Sequence, residues 1–177
     1  SMRTLAGHKD YVTGVAFAGG RRVVSASQDN TARVWDLDSG KTLRVLEHED
    51  DVNSVACLRV SGEWRIVTGS DDKTARVVGG ESGVTLQTLK HMKFVLGIAC
   101  IALAGGWRII TGSYDGNAYL WDGESGAKLR TLTGHTGQVW GVACMVIAGA
   151  WRIVSGSCDK TARLWDGESG ALLRTLE

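Results

Sequence analysis

A histidine, a hydroxyl residue and an aspartate recur in the same order four times along this chain of 177 residues. Side chains of these types form the Ser-His-Asp triad of hydrolases, in which the histidine takes a proton from the serine nucleophile. The four sets are His8, Ser25 and Asp29; His48, Thr68 and Asp72; His91, Thr111 and Asp115; and His135, Ser155 and Asp159. A triad needs one exposed nucleophile, an oxyanion hole and a cleft, whereas these sets are equivalent and interchange Ser with Thr. We therefore predict that the chain is not an enzyme and has no catalytic residues.

Four cysteines raise the question of disulfides or a zinc site, and their spacing favours neither. Cys57, Cys100 and Cys144 occupy the same place in successive copies, within Val-Ala-Cys or Ile-Ala-Cys, and no Cys-x-x-Cys pair is present. We expect free structural thiols, no metal site and no cofactor.

Composition and charge exclude several classes of partner. The chain is 44% hydrophobic with a formal net charge of +1, which is typical of a globular domain without a basic face for nucleic acid. No apolar run approaches the roughly 18 residues of a membrane helix, and no secretory signal opens the sequence. We expect no nucleic-acid or membrane partner and a cytoplasmic location.

The recurring histidines mark an internal repeat. They stand at positions 8, 48, 91 and 135, in steps of 40, 43 and 44 residues. The copies run over 7–46, 47–89, 90–133 and 134–177, after an N-terminal outer-strand remnant at 1–6. Each copy holds four short segments with period-two alternation, such as VTGVAF, RRVVSAS, TARVWD and KTLRVL in the first. The pattern predicts an all-β chain in which each copy forms one four-stranded antiparallel sheet.

The start, turn and end of each copy carry a specific resemblance. The starting His follows Gly in copies 1 and 4, Glu in copy 2 and Lys in copy 3. The Gly-His start, a Ser-Gly-Ser-x-Asp turn and a Trp-Asp ending resemble the WD-repeat (β-transducin-like) family of β-propellers over essentially the whole chain. The resemblance implies four blades per chain, arranged radially around a channel, and a non-catalytic protein–protein interaction scaffold. The second copy is degenerate because Val78-Gly79 replaces Trp-Asp.

The family also implies a structural role for the recurring polar residues. In it, the third-strand tryptophan, the hydroxyl, the histidine and the aspartate form a buried hydrogen-bonded chain, here with Trp35, Trp121 and Trp165 as the indole donors. Indole only donates and carboxylate only accepts, so this order satisfies every member. Val78 removes the donor and its packing, worth about 3–5 kcal/mol for a buried Trp. We expect the second blade to be the least protected from amide exchange.

Four wedge-shaped blades cover about half a circle, so the first and fourth would each expose an apolar sheet face. Three arrangements cover these faces: two chains joined head to tail into an eight-bladed homodimeric ring, half of a longer propeller, or a strained four-bladed monomer. We expect the homodimer, because residue 177 ends where another Gly-His would start. Segments of outer-strand type number five, so the N- and C-terminal ones compete for one edge position, and the longer C-terminal one is expected to occupy it.

The resemblance places partner contacts on the face where the His loops and Asp turns emerge. The positions three and five residues after each His and one before each turn Asp are Tyr11, Thr13 and Gln28; Asp51, Asn53 and Asp71; Phe94, Leu96 and Tyr114; and Gln138, Trp140 and Cys158. Aromatic residues with a polar flank are typical of interface hot spots, so we predict a protein or peptide partner here. The alternative is that Phe94 and Trp140 only line the channel mouth.

Three further interpretations of the function stay open at this level. The high similarity between copies is compatible with duplication or engineering of a repeat fragment, and the chain would then have no evolved partner. It could also be a fragment of a longer WD-repeat regulatory protein, or an enzyme with an active site at the channel mouth.

Trp64, Trp107 and Trp151 recur regularly before the second strand, which favours packing between blades.

Overall fold

The computed structural model describes residues 4–177, which form sixteen β-strands in four antiparallel sheets. Blade 1 contains β1 (Val12–Phe17), β2 (Arg22–Ser27), β3 (Thr31–Asp36) and β4 (Thr42–Glu47). Blade 2 contains β5 (Val52–Val60), β6 (Glu63–Ser70), β7 (Thr74–Gly79) and β8 (Thr85–Lys90). Blade 3 contains β9 (Val95–Leu103), β10 (Gly106–Ser113), β11 (Ala118–Asp122) and β12 (Lys128–Leu132). Blade 4 contains β13 (Val139–Ile147), β14 (Ala150–Ser157), β15 (Ala162–Asp166) and β16 (Leu172–Leu176).

Strands within a blade pair in chain order, so each sheet is a simple meander. The all-β fold with four four-stranded blades predicted from the repeat is confirmed. No helix in the described residues is long and apolar enough to cross a membrane.

The turn between the second and third strands is built on its aspartate. In blade 1, the Asp29 carboxylate accepts hydrogen bonds from the backbone N–H and the hydroxyl of Thr31, at 3.1 and 2.6 Å. The intervening Asn30 has a φ of 66°, a left-handed conformation that Asn tolerates. Equivalent bonds at Asp72, Asp115 and Asp159 repeat the turn in the other blades.

A β-bulge interrupts the start of the inner strand in every blade. Val12 pairs with Ser27 and Gly14 with Ala26, so Thr13 is left out of the ladder. The same register shift leaves out Asn53, Leu96 and Trp140 in the other blades. A bulge bends the strand and redirects a side chain, and these four residues consequently turn away from the blade faces toward the axis of the arc.

The core consists of three apolar clusters, each between successive blades. Val24 and Val34 of blade 1 pack against Val52 and Ile66 of blade 2, and the two following interfaces repeat this arrangement. Blades approach closely where a glycine faces the next blade: a Cβ on Gly112 would lie 2.6 Å from the backbone oxygen of Val139. Within residues 4–177 no such cluster joins blade 1 to blade 4.

The two end blades are therefore open on one side. The first residue of the inner strand is fully buried in blades 2, 3 and 4, as Val52, Val95 and Val139, whereas Val12 of blade 1 is 53% exposed. Likewise Leu46, Leu89 and Leu132 of the outer strands are buried, and the equivalent Leu176 is 47% exposed. The arc has three internal interfaces and two uncovered apolar faces.

Segments near both chain ends lie at these open faces. The C-terminal β16 pairs with β15 of its own chain, with Ala162 opposite Leu176. Near the N-terminus, Leu5 lies beside Gly40 in the turn between β3 and β4. In blades 3 and 4 the equivalent glycines, Gly126 and Gly170, face Leu89 and Leu132 of the preceding blade. Leu5 thus occupies the place that a preceding blade's outer strand would fill.

Candidate functional site

The polar network of blade 1 runs from its tryptophan to the Asp turn. The Trp35 indole N–H donates to Ser25 Oγ at 2.8 Å, and Ser25 Oγ lies 2.6 Å from His8 Nε2. His8 Nδ1 lies 2.9 Å from Asp29 Oδ2. Since indole only donates and carboxylate only accepts, the hydroxyl donates to Nε2 and Nδ1–H donates to the aspartate. Blade 4 repeats this network with Trp165, Ser155, His135 and Asp159, at 2.7–2.8 Å.

The electrostatics of this network are those of a satisfied buried cluster. Burial tends to raise the pKa of Asp29, but hydrogen bonds from Thr31, the Lys9 N–H and His8 outweigh burial and hold that pKa well below its usual range. Ser25 and Ser155 are buried, so neither hydroxyl is presented to a substrate. The arrangement ties the loop before the first strand to the turn before the third.

Blade 2 keeps three members of the network and lacks the indole. His48 bridges Thr68 Oγ1 at 2.8 Å and Asp72 Oδ2 at 2.7 Å. Arg76 donates to the same Asp72 oxygen at 2.9 Å and to the backbone oxygen of Glu47 at 2.8 Å. In blades 1 and 4 the equivalent arginines instead lie against Gly7 and Gly134 of the Gly-His pairs. Val78 is buried in the apolar cluster between blades 1 and 2.

Blade 3 departs from the sequence expectation. The Trp121 indole donates to Thr111 Oγ1 at 3.0 Å and Thr111 bonds His91 Nε2 at 2.8 Å, but Nδ1 of His91 donates to the backbone oxygen of Leu89 at 3.1 Å. The Asp115 carboxylate instead accepts a 2.7 Å hydrogen bond from the hydroxyl of Tyr119, which stands where the other copies have Arg. The expected link between His91 and Asp115 is therefore wrong.

Burial dominates the ionisation of His91 and Tyr119 in blade 3. Burial lowers the pKa of His91 to about 4, against weaker opposing effects of Leu89 and Asp115. Burial, and then the neighbouring Asp115, raise the pKa of Tyr119 to about 12. The imidazole of His91 is accordingly neutral at physiological pH.

The aspartate of each Trp-Asp pair organises the turn before the fourth strand. Asp122 Oδ1 accepts hydrogen bonds from the N–H and hydroxyl of Ser125, at 2.9 and 2.8 Å, and Asp122 Oδ2 pairs with Arg108 at 2.9 Å. Asp166 makes the same contacts with Ser169 and Arg152. Gly79 has no carboxylate to offer in blade 2, where Arg65 pairs with Glu63 instead.

The recurring tryptophans Trp64, Trp107 and Trp151 lie inside the second strands of their blades, and the last two belong to the interfaces between blades. Trp107 lies in the cluster between blades 2 and 3, and Trp151 in the cluster between blades 3 and 4. Each ring also covers a glycine of its own blade, Gly123 or Gly167, where any Cβ would collide with the indole. Their packing leaves no indole face available to a ligand at these two positions.

The bulged residues and their neighbours line an open cavity with a volume of about 630 Å³, at the face where the His loops and Asp turns emerge. We call it the channel mouth; its lining consists of Thr13, Gln28, Asp51, Asn53, Ser54, Asp71, Phe94, Leu96, Gly97, Ile98, Tyr114, Trp140, Gly141 and Val142.

Nine of the twelve predicted contact positions therefore come together at the channel mouth. Gln138 and Cys158 line a smaller neighbouring cavity of about 300 Å³ beside Tyr114, and Tyr11 is exposed outside both. The prediction omitted Ser54, Ile98 and Val142, which the inner strands bring to the same surface. Each follows a bulged residue by one or two positions, which is the signal that would have located them.

Metal and thiol chemistry find no support among the described residues. In residues 4–177 no three His, Cys, Asp or Glu side chains are grouped as a metal site. Burial raises the pKa of the Cys57 thiol to about 12 and of Cys144 to about 11, so these thiols stay protonated.

Comparisons with known proteins agree with this geometry. The family model described as "WD domain, G-beta repeat" matches residues 1–36, 40–78, 83–122 and 126–166. The "Probable E3 ubiquitin ligase complex SCF subunit sconB" of Arthroderma benhamiae is 50% identical over 44 residues, which are 24% of this chain and 7% of that protein. "Mitochondrial division protein 1" of Phaeosphaeria nodorum is 40% identical over 60 residues, 33% of this chain and 8% of that protein. The matches thus span less than a tenth of these relatives.

A solved structure resembles nearly the whole chain. The crystal structure of the computationally designed Ika4 protein superposes with a TM-score of 0.76 at 28% sequence identity, covering 92% of this chain and 95% of that one.

Proposed function

The chain belongs to the WD-repeat family, and from that premise we propose that it is a non-catalytic protein-interaction scaffold, a half-propeller that pairs with a second copy to close an eight-bladed ring. The pairing is supported by one observation above all. Each end of the arc presents an apolar sheet face whose counterparts inside the arc are buried.

The open face of blade 1 consists of inner-strand residues that an adjoining blade would cover. Val15 and Phe17 are 70% and 60% exposed, whereas Val55, which corresponds to Val15, is buried against blade 1. The open face of blade 4 carries Met145, Ile147 and Leu176, which are also exposed. Patches of this kind are rare on monomers.

The two faces are complementary in the way the internal interfaces are. Inside the arc, the following face of one blade always packs on the preceding face of the next. Joining the following face of blade 4 to the preceding face of blade 1 in a second chain repeats that interface. Two such junctions, related by a twofold axis, close the ring and leave no apolar sheet face exposed.

At each junction, two segments compete for the same position beside Gly40. Leu176 of one chain and Leu5 of the other would both lie against Gly40, because Leu5 already stands beside that glycine. We propose that β16 keeps the position, since it is paired along its length with β15, and that residues 4–6 move aside.

Molecular mass by light scattering tests the ring. We expect about 38 kDa, twice the 18.9 kDa of one chain. The double variant Val15→Glu and Phe17→Glu should be monomeric, because it places two charges in the junction. The matched control is Leu129→Glu, an exposed leucine on the edge strand β12 of an internal blade, which should leave the mass unchanged. A wild-type mass of 18.9 kDa would rule the ring out.

A monomeric mass would favour the alternative that the chain is a fragment of a longer WD-repeat regulatory protein. The observation behind that alternative is that the chain matches only 7–8% of the relatives described above. A cytoplasmic location stays a prediction for either form.

We place the partner-binding surface of the scaffold at the channel mouth. Phe94 and Tyr114 are in edge-to-face contact, with ring centroids 5.4 Å apart, and Trp140 is half exposed beside them. Exposed aromatic side chains on a rigid scaffold are typical binding hot spots. Replacing Phe94, Tyr114 and Trp140 together with Ser should abolish partner capture without unfolding the chain. Unchanged capture would mean that these residues only line the channel.

Catalysis by the buried sets is the least supported function. A hydrolase activity that is lost on replacing Ser155 alone with Ala would contradict the non-catalytic proposal.

A further inference from the structure

The channel mouth has an apolar wall supplied by blades 3 and 4. Phe94 and Tyr114 contact each other edge to face, and Leu96 forms a buried floor beside them. The Trp140 ring is 53% exposed, with its indole N–H donating to Gln138 at 3.1 Å, so a broad ring face remains accessible. This wall suits an apolar or aromatic side chain of a bound segment.

A second part of the lining is acidic, and its two carboxylates belong to blade 2. Asp51 and Asp71 line the cavity, and Asp10 and Asp50 lie close enough to affect the ionisation of Asp51. Among residues 4–177 none of these four carboxylates forms an ion pair with a Lys or Arg. The neutral amide of Asn53 donates a hydrogen bond to Asp71, at 2.6 Å.

Burial and mutual repulsion disfavour the ionised forms of Asp51 and Asp71. Burial, followed by Asp50, Asp71 and Asp10, raises the pKa of Asp51. Burial also raises the pKa of Asp71, against the opposing hydrogen bond from Asn53. A cation entering the cavity would relieve both the repulsion and the desolvation of these carboxylates.

We propose that the channel mouth binds a peptide segment that presents a Lys or Arg side chain next to an apolar one. The cationic group pairs with Asp51 and Asp71, and the apolar side chain lies against Phe94, Tyr114 and Trp140. The inference rests on the proposed role of the chain as an interaction scaffold and adds the chemistry of its partner.

Charge complementarity selects this occupant over the others that an aromatic cavity admits. A phosphate-bearing partner would face four carboxylates, and a purely apolar segment would desolvate Asp51 and Asp71 without compensation. A basic side chain removes that penalty and is also attracted to the faces of the aromatic rings.

A selection from a random peptide library displayed on phage tests the proposal, with the wild-type chain immobilised as bait. We expect enrichment of peptides with Lys or Arg adjacent to an aromatic or aliphatic residue. A synthetic copy of the best peptide should lose at least tenfold in affinity when its basic residue becomes Gln.

Variants of the acidic wall separate its contribution from that of the aromatic wall. In the Asp51→Asn, Asp71→Asn double variant the preference for the basic residue should disappear, while peptide variants lacking the apolar residue remain weak binders. The variant is expected to fold at least as well as wild type, because it removes repulsion. Asp38→Asn, which removes an exposed carboxylate from the turn between β3 and β4, is the matched control and should keep the full tenfold preference.

The outcomes distinguish this inference from the proposed function. Enriched apolar peptides without a basic residue, lost when Phe94, Tyr114 and Trp140 become Ser, would overturn the cation preference and leave the scaffold in place. Absence of any enriched peptide would overturn both.

Discussion

At the scale of single residues, the chain uses its recurring polar side chains to join loops. Three indoles donate to buried hydroxyls, which donate to imidazoles. The imidazoles in turn donate to the turn aspartate in blades 1 and 4 and to the Leu89 carbonyl in blade 3. Each member is satisfied in that direction alone, so removing one donor leaves a buried lone pair without a partner. The network is therefore strongest where every member is present, and its hydroxyl groups at Ser25, Thr111 and Ser155 are buried.

The contribution of the indole donor is measurable with one substitution. Trp165→Phe removes the N–H that bonds Ser155 and keeps most of the ring, so we expect a loss of about 1–2 kcal/mol in the free energy of unfolding by urea. Trp140→Phe is the control, because its N–H bonds only the exposed Gln138, and its effect should be close to zero. Equal effects of the two substitutions would mean that the buried hydrogen bond contributes nothing specific.

Blade 3 adds a pH dependence through His91. Its pKa falls from 6.5 to about 4 on folding, so between these values the unfolded chain binds a proton that the folded chain excludes. Stability is fully present above pH 6.5 and declines as the pH falls toward 4, by about 3 kcal/mol if this group acts alone.

Titration of the His91 ring protons by NMR should give a midpoint near 4, and His91→Asn should flatten the stability profile between pH 6.5 and 4. A midpoint near 6.5 would show that the ring is solvated. His48 is expected to contribute in the same direction, because burial also lowers its pKa.

At the scale of the element, blade 2 shows what the Trp-Asp pair contributes to a strand and its turn. Thr68 and His48 remain bonded to each other without an indole donor, and Arg76 adds an ion pair to the buried Asp72. The turn after β7 lacks the three hydrogen bonds that the aspartate accepts in blade 3, because Gly79 offers no acceptor to Ser82 or Arg65. Blade 3 is the fair comparison for blade 2, since both are covered on two sides, and we expect the amides of β7 to exchange faster than those of β11.

Gly79→Asp should repair the turn. In blades 3 and 4, the equivalent aspartates Asp122 and Asp166 each accept two bonds from a serine and one from an arginine. In blade 2, Ser82 and Arg65 stand in the places of that serine and arginine. The backbone of Gly79 has no positive φ, and the Cβ would meet only the mobile Ser82 hydroxyl closely. We expect a gain of about 1 kcal/mol in unfolding free energy and slower exchange in β7. Gly79→Ala is the control; an equal gain from it would assign the effect to backbone entropy.

At the scale of the whole molecule, the stability of the end blades depends on whether their open faces are covered by a second chain. Each internal blade is covered on both sides, whereas the two end faces expose apolar residues, such as Val12 and Leu176, whose counterparts inside the arc are buried. In a repeat architecture every blade depends on its neighbours, so closing the ring would protect blades 1 and 4 as well as the junctions.

Removal of residues 1–6 tests which chain end closes a junction. A variant that begins at Gly7 lacks Leu5, and if β16 fills the junction the variant should dimerise several-fold more tightly on dilution. Leu5→Ser in the full chain should act in the same direction. Weaker dimerisation of both variants would show instead that the N-terminal segment is the closing strand.

The repeat, the alternation and the turn aspartates determined the four blades from the sequence alone, because strand and turn preferences depend on near neighbours. The resemblance to the WD-repeat family implied nine residues of the channel mouth, although their convergence needed the bulge in each inner strand. The partner of His91 was decided only by the tertiary structure: Tyr119 reaches Asp115 across the turn and leaves the Leu89 carbonyl as the nearest acceptor. Which acceptor a buried donor meets depends on distances set after folding, and no local pattern carries them. The open end faces are likewise a property of the assembled arc, since Val12 and Val52 look alike until one of them lacks a neighbouring blade.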